Sequence, residues 1–339
     1  MNPIPVGVDI AKSVIQVHWV DPKSGEVINK AIRRDRFLEY FANRPTCLIG
    51  MEAGGGAPHW ARQLMKLGHQ VKLMPPKFVK AFNIGNKSDP ADARAIWMAT
   101  QIPSKAVAIK SEAQQAVLAL HRMRQQLVKF RTMQINSLRG RLAEYGEVMG
   151  RSREVLDKAI AGVLAKLSER LPAMLIDTLR AQWNSLTVLD RQIAEIEQRL
   201  RIWMREDQAC KTIAAVPGVG LSTATAAVAT MGDATAFHSG REFAAWIGLV
   251  PKQTGSGGKV QLLGISRRGD TYLRTLLIHG ARSVLRHPEK AGAWIEQLAK
   301  RRPFNVVIVA LANKLARTIW ALLAHNRQYQ REHVSSKPA

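Results

Sequence analysis

Ile4-Pro5-Val6-Gly7-Val8-Asp9-Ile10 and, after a short turn, Val14-Ile15-Gln16-Val17-His18-Trp19-Val20 decide how the chain begins. Both runs are rich in β-branched and aromatic residues, and their short separation spells a hairpin. A third strand follows over 26–32, a helix over 37–42, and a buried strand over 47–51 that closes on Glu52. Gly54-Gly55-Gly56 breaks the chain before a helix over 58–67, and 71–74 gives another strand. Asp89-Pro90 opens a helix to about Thr100, with proline where a missing N–H costs nothing. Strands first, then helices alternating with strands, predict a mixed α/β domain.

Four carboxylates punctuate these elements: Asp9, Glu52, Asp89 and Asp92. Aspartate is disfavoured within strands and costly when buried without a partner, so Asp9 asks for a reason. Acids on adjacent strands converge within reach of one or two Mg²⁺ ions, and Asp89 and Asp92 share one helical face. Two metals about 4 Å apart activate the attacking oxygen and stabilise the leaving one in an in-line displacement. The alternative for the second pair is local. Asp89 would cap the helix and Asp92 would answer its dipole.

The background is strongly basic, with a formal charge of +24 on 339 residues and a pI near 10.7. Such an excess makes nucleic acid the first partner to consider, ahead of an anionic membrane surface. The surplus is spread along the whole chain, which favours a long or wrapped contact over one basic tail. Cys47 and Cys210 form no CxxC pair, which fits a reducing cytoplasm better than a disulfide framework. The N-terminus lacks the look of a signal peptide. The apolar stretch 306–323 carries Asn313, Lys314 and Arg317, so it reads as a buried helix and not a membrane span.

From Ser111 the pattern becomes heptad-like. Leu120 and Leu127, then Met123 and Phe130, stand seven apart, as do Leu179, Leu186, Ile193 and Leu200. The second run implies an arm of roughly 45 Å at the α-helical rise. It could fold back within one chain or pair between chains. Between Glu112 and Glu144 there is no acid, while Arg122, Arg124, Lys129, Arg131, Arg139 and Arg141 accumulate. Read as unpaired, these six cations track a phosphate backbone. A solvated helix face is the alternative.

Two glycine-rich segments mark the last third, which is otherwise helical. Val216-Pro217-Gly218-Val219-Gly220 resembles the turn of helix-hairpin-helix motifs, where Gly218 and Gly220 would let amides approach phosphates. A plain interhelical turn fits equally. Lys252-Gln253-Thr254-Gly255-Ser256-Gly257-Gly258-Lys259 reads as a loop that exposes the Ser256 hydroxyl between two lysines. Arg267 and Arg268, with Arg274 and Arg282 on the next helix, read as a phosphate clamp. His59, His121 and His279 stand isolated and read as packing or capping residues.

Together Gly7-Val8-Asp9-Ile10-Ala11-Lys12, Gly50-Met51-Glu52-Ala53 and Lys87-Ser88-Asp89-Pro90-Ala91-Asp92-Ala93 resemble the DEDD transposases of bacterial insertion sequences. The likeness continues through Pro217–Gly220, Phe243–Leu249, Ser256-Gly257-Gly258 and Arg268-Gly269-Asp270. It departs at Ser88, where many relatives carry asparagine. The resemblance implies α/β plus α architecture: a RuvC-like, RNase H-type domain over 1–108 and a coiled-coil, basic helical region over 109–206. A mainly helical transposase domain over 207–326 and a polar tail over 327–339 would follow. It implies that Asp9, Glu52, Asp89 and Asp92 bind Mg²⁺, two ions per site. Ser256 would attack DNA and form a phosphoserine link, completing its site with the acids of another subunit. It further implies a structured noncoding bridge RNA that pairs with donor and target DNA. The protein would be a dimer or tetramer in the bacterial cytoplasm, at the nucleoid. Two other readings remain: a RuvC-like structure-specific endonuclease using a metal-activated water, and a non-catalytic nucleic-acid-binding protein.

Overall fold

The computed structural model describes residues 3–84, 86, 88–104, 106–287 and 292–330. Lys87 of the third acidic motif and residues 331–339 of the polar tail lie outside the described residues. The chain divides into two compact units, Met1–Ser111 and Glu112–Ala339.

The first unit is built on five strands: β1 (Ile4–Ile10), β2 (Val14–Val20), β3 (Val27–Arg33), β4 (Cys47–Glu52) and β5 (Gln70–Met74). Their spatial order is β3-β2-β1-β4-β5. The first three run antiparallel as a meander, while β4 lies parallel to β1 and β5 parallel to β4. Helices α1 (Phe37–Ala42), α2 (Ala57–Lys66), α3 (Pro76–Lys80) and α4 (Asp89–Gln101) complete the unit. Side chains alternate across a strand, so each sheet face is a separate set. Val6, Val8, Ile15, Val17, Ile49 and Met51 point to one face and pack with Phe37, Phe41, Trp60 and Leu64.

The other face belongs to α4, and two glycines admit it. A Cβ on Gly7 would lie 2.3 Å from the Ala93 carbonyl oxygen and 2.4 Å from the Trp97 nitrogen. One on Gly50 would lie 1.8 Å from Thr100 Oγ1. The helix backbone therefore rests directly on β1, and the Thr100 side chain seats against β4.

The second unit is helical apart from one hairpin. Its arm consists of α5 (Glu112–Ala143), α6 (Arg153–Ser168) and α7 (Ala173–Glu206). Helix α6, which the sequence reading did not separate from the arm, packs Leu156, Ile160, Leu164 and Leu167 against Leu138, Leu142, Ile176 and Leu179. All four of the heptad-spaced residues Leu179, Leu186, Ile193 and Leu200 are buried. The pairing falls within the chain: Arg124 meets Glu197, Arg131 meets Asp190 and Gln134 meets Ser185. Numbers that rise on α5 fall on α7, so the two helices are antiparallel. Met123 and Phe130, which heptad spacing placed in a seam, are instead 55% and 42% exposed.

The remaining elements are α8 (Gln208–Ala214), α9 (Leu221–Met231), α10 (Gly240–Ile247), β6 (Pro251–Ser256), β7 (Lys259–Ile265), α11 (Thr271–Leu285), α12 (Ala293–Ala299) and α13 (Phe304–Ala324). Helix α13 is long and apolar enough to cross a bilayer by composition alone. Here it lies in the core, with Val307, Ile308, Leu311, Ala312, Leu315, Ala316, Ile319 and Leu322 buried. The reading of that stretch as a buried helix holds.

Gly7→Val would force backbone apart at the sheet–helix contact. Overpacking of this kind costs about 1–3 kcal/mol, more where backbone is the obstacle. Urea unfolding should therefore show the variant less stable by at least that amount, whereas Gly162→Ala, in helix α6 with open space around it, should lose nothing.

Candidate active site

Alternation along the strands decides where the first two acids point. Asp9 lies two residues beyond Gly7 and Glu52 two beyond Gly50, so both fall on the face that α4 covers. The last parallel pair between β1 and β4 is Val8 with Met51, and Asp9 and Glu52 come next on neighbouring strand ends. Asp89 and Asp92 lie in the first turn of α4. Asp9 and Asp92 are half-buried, whereas Glu52 and Asp89 are exposed. One sheet face and the helix upon it thus carry all four acids.

The capping alternative for Asp89 fails. Ser88 occupies the N-cap position with an extended backbone, and Asp89 is already helical. Asp92 instead accepts a short hydrogen bond from the Asn83 amide. Gln16, the cross-strand partner of Asp9, donates from Nε2 to Asn29 Oδ1 at 2.6 Å. Asn29 Nδ2 in turn donates to the Pro90 carbonyl at 3.0 Å. Sequence reading missed Gln16, Asn29 and Asn83. Only the placement of Gln16 at a buried position of a hydrophobic strand hinted at a role.

A donor set of four carboxylates has the chemistry of a hard divalent cation. Among the described residues, no three His, Cys, Asp or Glu side chains stand close enough together to hold an ion. The acids therefore fit such a cation by donor type and shared face. The carboxylates would have to draw closer together to hold one.

The Ser256 segment is not a loop. β6 and β7 form an antiparallel hairpin, with Gly257 (φ 57°) and Gly258 (φ 79°) between the strands. Two positive-φ glycines match the right-handed twist of the flanking strands, the preference of two-residue hairpin turns. In sequence the paired glycines suggest a loop, whereas Lys259–Ile265 after them forms the second strand. Ser256 directly opposes Lys259, and every residue from Pro251 to Gly264 is exposed. Only the roots of the hairpin are anchored. Arg274 is 7% exposed and donates at 2.7 Å to both the Ile247 and Arg268 carbonyls, one at each root. Its guanidinium is thus committed to the backbone, which corrects its reading as a phosphate clamp. Arg267 and Arg268 are exposed, as are Lys252 and Lys259.

The other glycine segment has a packing reason. Gly218 takes φ 88°, and an added Cβ would meet Val284 at 2.8 Å and the Gly280 carbonyl at 2.9 Å. Gly218 therefore lets the α8–α9 turn seat on α11, as a plain interhelical turn requires. Nothing lies within 4 Å of a Cβ built on Gly220.

Charge pairing across the arm corrects the reading of six unpaired cations. Arg124 reaches Glu197 at 2.7 Å and Arg131 reaches Asp190 at 2.8 Å. Arg139 donates to the Ser152 carbonyl at 2.8 Å, and Arg141 to Ser137 Oγ. The acids that answer α5 sit on α7, out of view of any count along α5 alone. Arg122 and Lys129 remain exposed, with no carboxylate partner among the described residues.

His121 is fully buried between α5, α9 and α11. Nδ1 lies 3.0 Å from the Tyr272 hydroxyl and Nε2 lies 2.9 Å from Thr225 Oγ1. Burial first, then the nearby Arg124 charge, pull its pKa from 6.5 down to about 4, with Asp270 opposing.

Comparison with known proteins now identifies the chain. A family model described as Transposase, of the DEDD type in IS110 elements, matches residues 6–147. A second, Transposase IS116/IS110/IS902 family, matches residues 210–295. The chain belongs to the IS110 family of insertion-sequence transposases, enzymes that cut and rejoin DNA. It is 44% identical to a probable family 20 transposase of Pseudomonas aeruginosa, over 97% of this chain and 99% of the relative. The transposase for insertion sequence element IS1111A of Coxiella burnetii is 39% identical over 96% of this chain and 91% of its own length. A pilin gene-inverting protein of Moraxella lacunata is 24% identical over 98% and 99%.

Two outcomes follow. Arg122→Ala and Lys129→Ala should each weaken nucleic-acid binding and lower its salt slope by about one, whereas Arg131→Ala should chiefly lower thermal stability. The neutral His121 makes stability pH-dependent, because the unfolded chain takes up a proton near pH 6.5 and the folded one does not. Stability is full above that pH and falls by about 3 kcal/mol as pH drops toward 4. Denaturant titrations across that window should show the loss, and His121→Gln should flatten it.

Proposed function

We propose that this transposase moves its own element as an RNA-guided recombinase, with Ser256 as the nucleophile. The observation that carries the reading is the hairpin. In a DNA-cutting family, one serine stands beside the two-glycine turn of a wholly exposed ribbon, opposite Lys259. Its hydroxyl is open to a phosphodiester that a buried serine could not reach.

In the proposed step, Ser256 Oγ forms a bond to phosphorus as one bridging P–O bond of the DNA breaks. The seryl proton passes to solvent or a base, and the departing deoxyribose oxygen takes one up. Attack on the seryl phosphate by a hydroxyl of the other DNA reverses the exchange and frees the serine. Lys259 balances charge on the phosphate from across the hairpin. A divalent cation held by Asp9, Glu52, Asp89 and Asp92, as one or two Mg²⁺, would supply Lewis-acid stabilisation of phosphate charge. The strand order β3-β2-β1-β4-β5, with acids at the ends of β1 and β4, supports a RuvC-like, RNase H-type first domain.

Arg122, Lys129, Lys252, Lys259, Arg267 and Arg268 are exposed cations offered to DNA or RNA phosphates. Gly220, at the open N-terminus of α9, supports a helix-hairpin-helix contact. Exposed Met123, Phe130 and Met133 on the arm support assembly with a second copy, as a dimer or tetramer, so that serine and acids come from different subunits. A bacterial cytoplasmic enzyme working on nucleoid DNA fits the relatives and the charge.

The protein should be purified with its RNA, the RNA sequenced, and recombination assayed with that RNA, Mg²⁺ and both DNA partners. A discrete RNA from the flank of the gene, with recombination lost in Ser256→Ala, is the expected result. Heterogeneous RNA, with Ser256→Ala cleaving DNA as wild type does, would point to the water-using endonuclease.

A further inference from the structure

The glycine contacts fix only part of α4. Gly7 meets Ala93 and Trp97, and Gly50 meets Thr100. The first turn, which carries Asp89 and Asp92, lies beyond them and needs its own tie. Two carboxylates approaching Asp9 and Glu52 repel one another until a cation intervenes. A lysine or arginine placed there would hold the turn but compete with the cation. An uncharged tie avoids that competition.

Asn29 supplies one. Its amide donates at 3.0 Å to the Pro90 carbonyl, inside the acidic turn. Its own carbonyl accepts at 2.6 Å from Gln16, whose backbone pairs with Asp9. Gln16 is 7% exposed, so its side chain has a fixed seat on the sheet. The relay runs from the strand position opposite the first acid to the turn that bears the last two. Asn83, donating to Asp92 from before α4, steadies the same turn from its other side.

We propose that Asn29, seated by Gln16, is a positioning residue that holds the Asp89–Asp92 turn against Asp9 and Glu52 for divalent-cation binding. This rests on the assignment of the four acids as a metal site. Outer-sphere partners of metal ligands typically matter 10–100-fold to affinity. Asn29 acts through a backbone carbonyl, so the lower end applies.

The test is Mn²⁺ binding to the full-length protein freed of nucleic acid, followed by the paramagnetic resonance signal of unbound Mn²⁺. Asn29→Ala should weaken Mn²⁺ binding by about ten-fold, and Gln16→Met should weaken it less. Thermal midpoint and DNA affinity of Asn29→Ala should match wild type, which a merely structural role would not allow. Val27→Ala, exposed on the same strand, should bind Mn²⁺ as wild type does. Unchanged binding in Asn29→Ala, with binding lost in Asp9→Asn, would overturn the relay alone. Unchanged binding in Asp9→Asn as well would overturn the acid site together with it. An equal loss in Val27→Ala would assign the effect to strand disturbance and also overturn the proposal.

Discussion

The contact of α4 with the bare backbone of β1 and β4 is the constraint on which the first unit depends. Side chains at Gly7 and Gly50 would hold the helix off, because the nearest atoms are backbone nitrogen and oxygen or a buried threonine. With glycine there, α4 lies flat and its first turn runs along the face where Asp9 and Glu52 emerge. The pleat does the rest. A hydrophobic residue at every second position builds the core on one face and leaves the alternate positions to glycine, Gln16, His18 and the acids. A single register slip on β1 would send Asp9 into the core.

A different logic governs the second unit. Its arm is closed by apolar heptads and by acids on α7 that neutralise arginines on α5. That neutralisation leaves fewer cations for nucleic acid than the sequence alone promises, and it makes the free ones easier to name. The hairpin carrying Ser256 has almost no packing of its own. Its position depends on the buried Arg274 guanidinium and on the close seats of Gly248 and Gly269 at its roots. A side chain on an exposed ribbon with anchored roots faces outward while the core stays intact.

Much of this was legible in the chain. Strand and helix positions in the first unit follow from β-branched runs and from punctuation by Gly54–Gly56 and Asp89-Pro90. The heptad Leu179, Leu186, Ile193 and Leu200 marked four buried residues of α7, while Ile176 and Ile196 are buried outside that row. What escaped did so for physical reasons. Pairing partners of Arg124 and Arg131 lie on a helix far along the chain, so local charge counting saw only one side. The β6–β7 hairpin hid behind its glycines, because Gly257-Gly258 reads as flexibility unless the alternation after it is weighed. Helix α6 is bounded in sequence by Gly146 and the capping Ser152 before it and by Pro172 after it, signals that the heptad pattern on either side masked. Asn29 is a polar residue on an outer strand, and only the fold shows that it touches Pro90. The four acids were visible as residues, and their common face became visible through the register of β1 and β4.

The most direct measurement is to trap the enzyme on labelled donor DNA, digest the complex, and locate the attached nucleotide by mass spectrometry. A nucleotide esterified to Ser256 is the predicted result. Hydrolysed DNA ends with no nucleotide on any peptide would contradict serine-mediated exchange. They would leave a transposase that cuts by way of water.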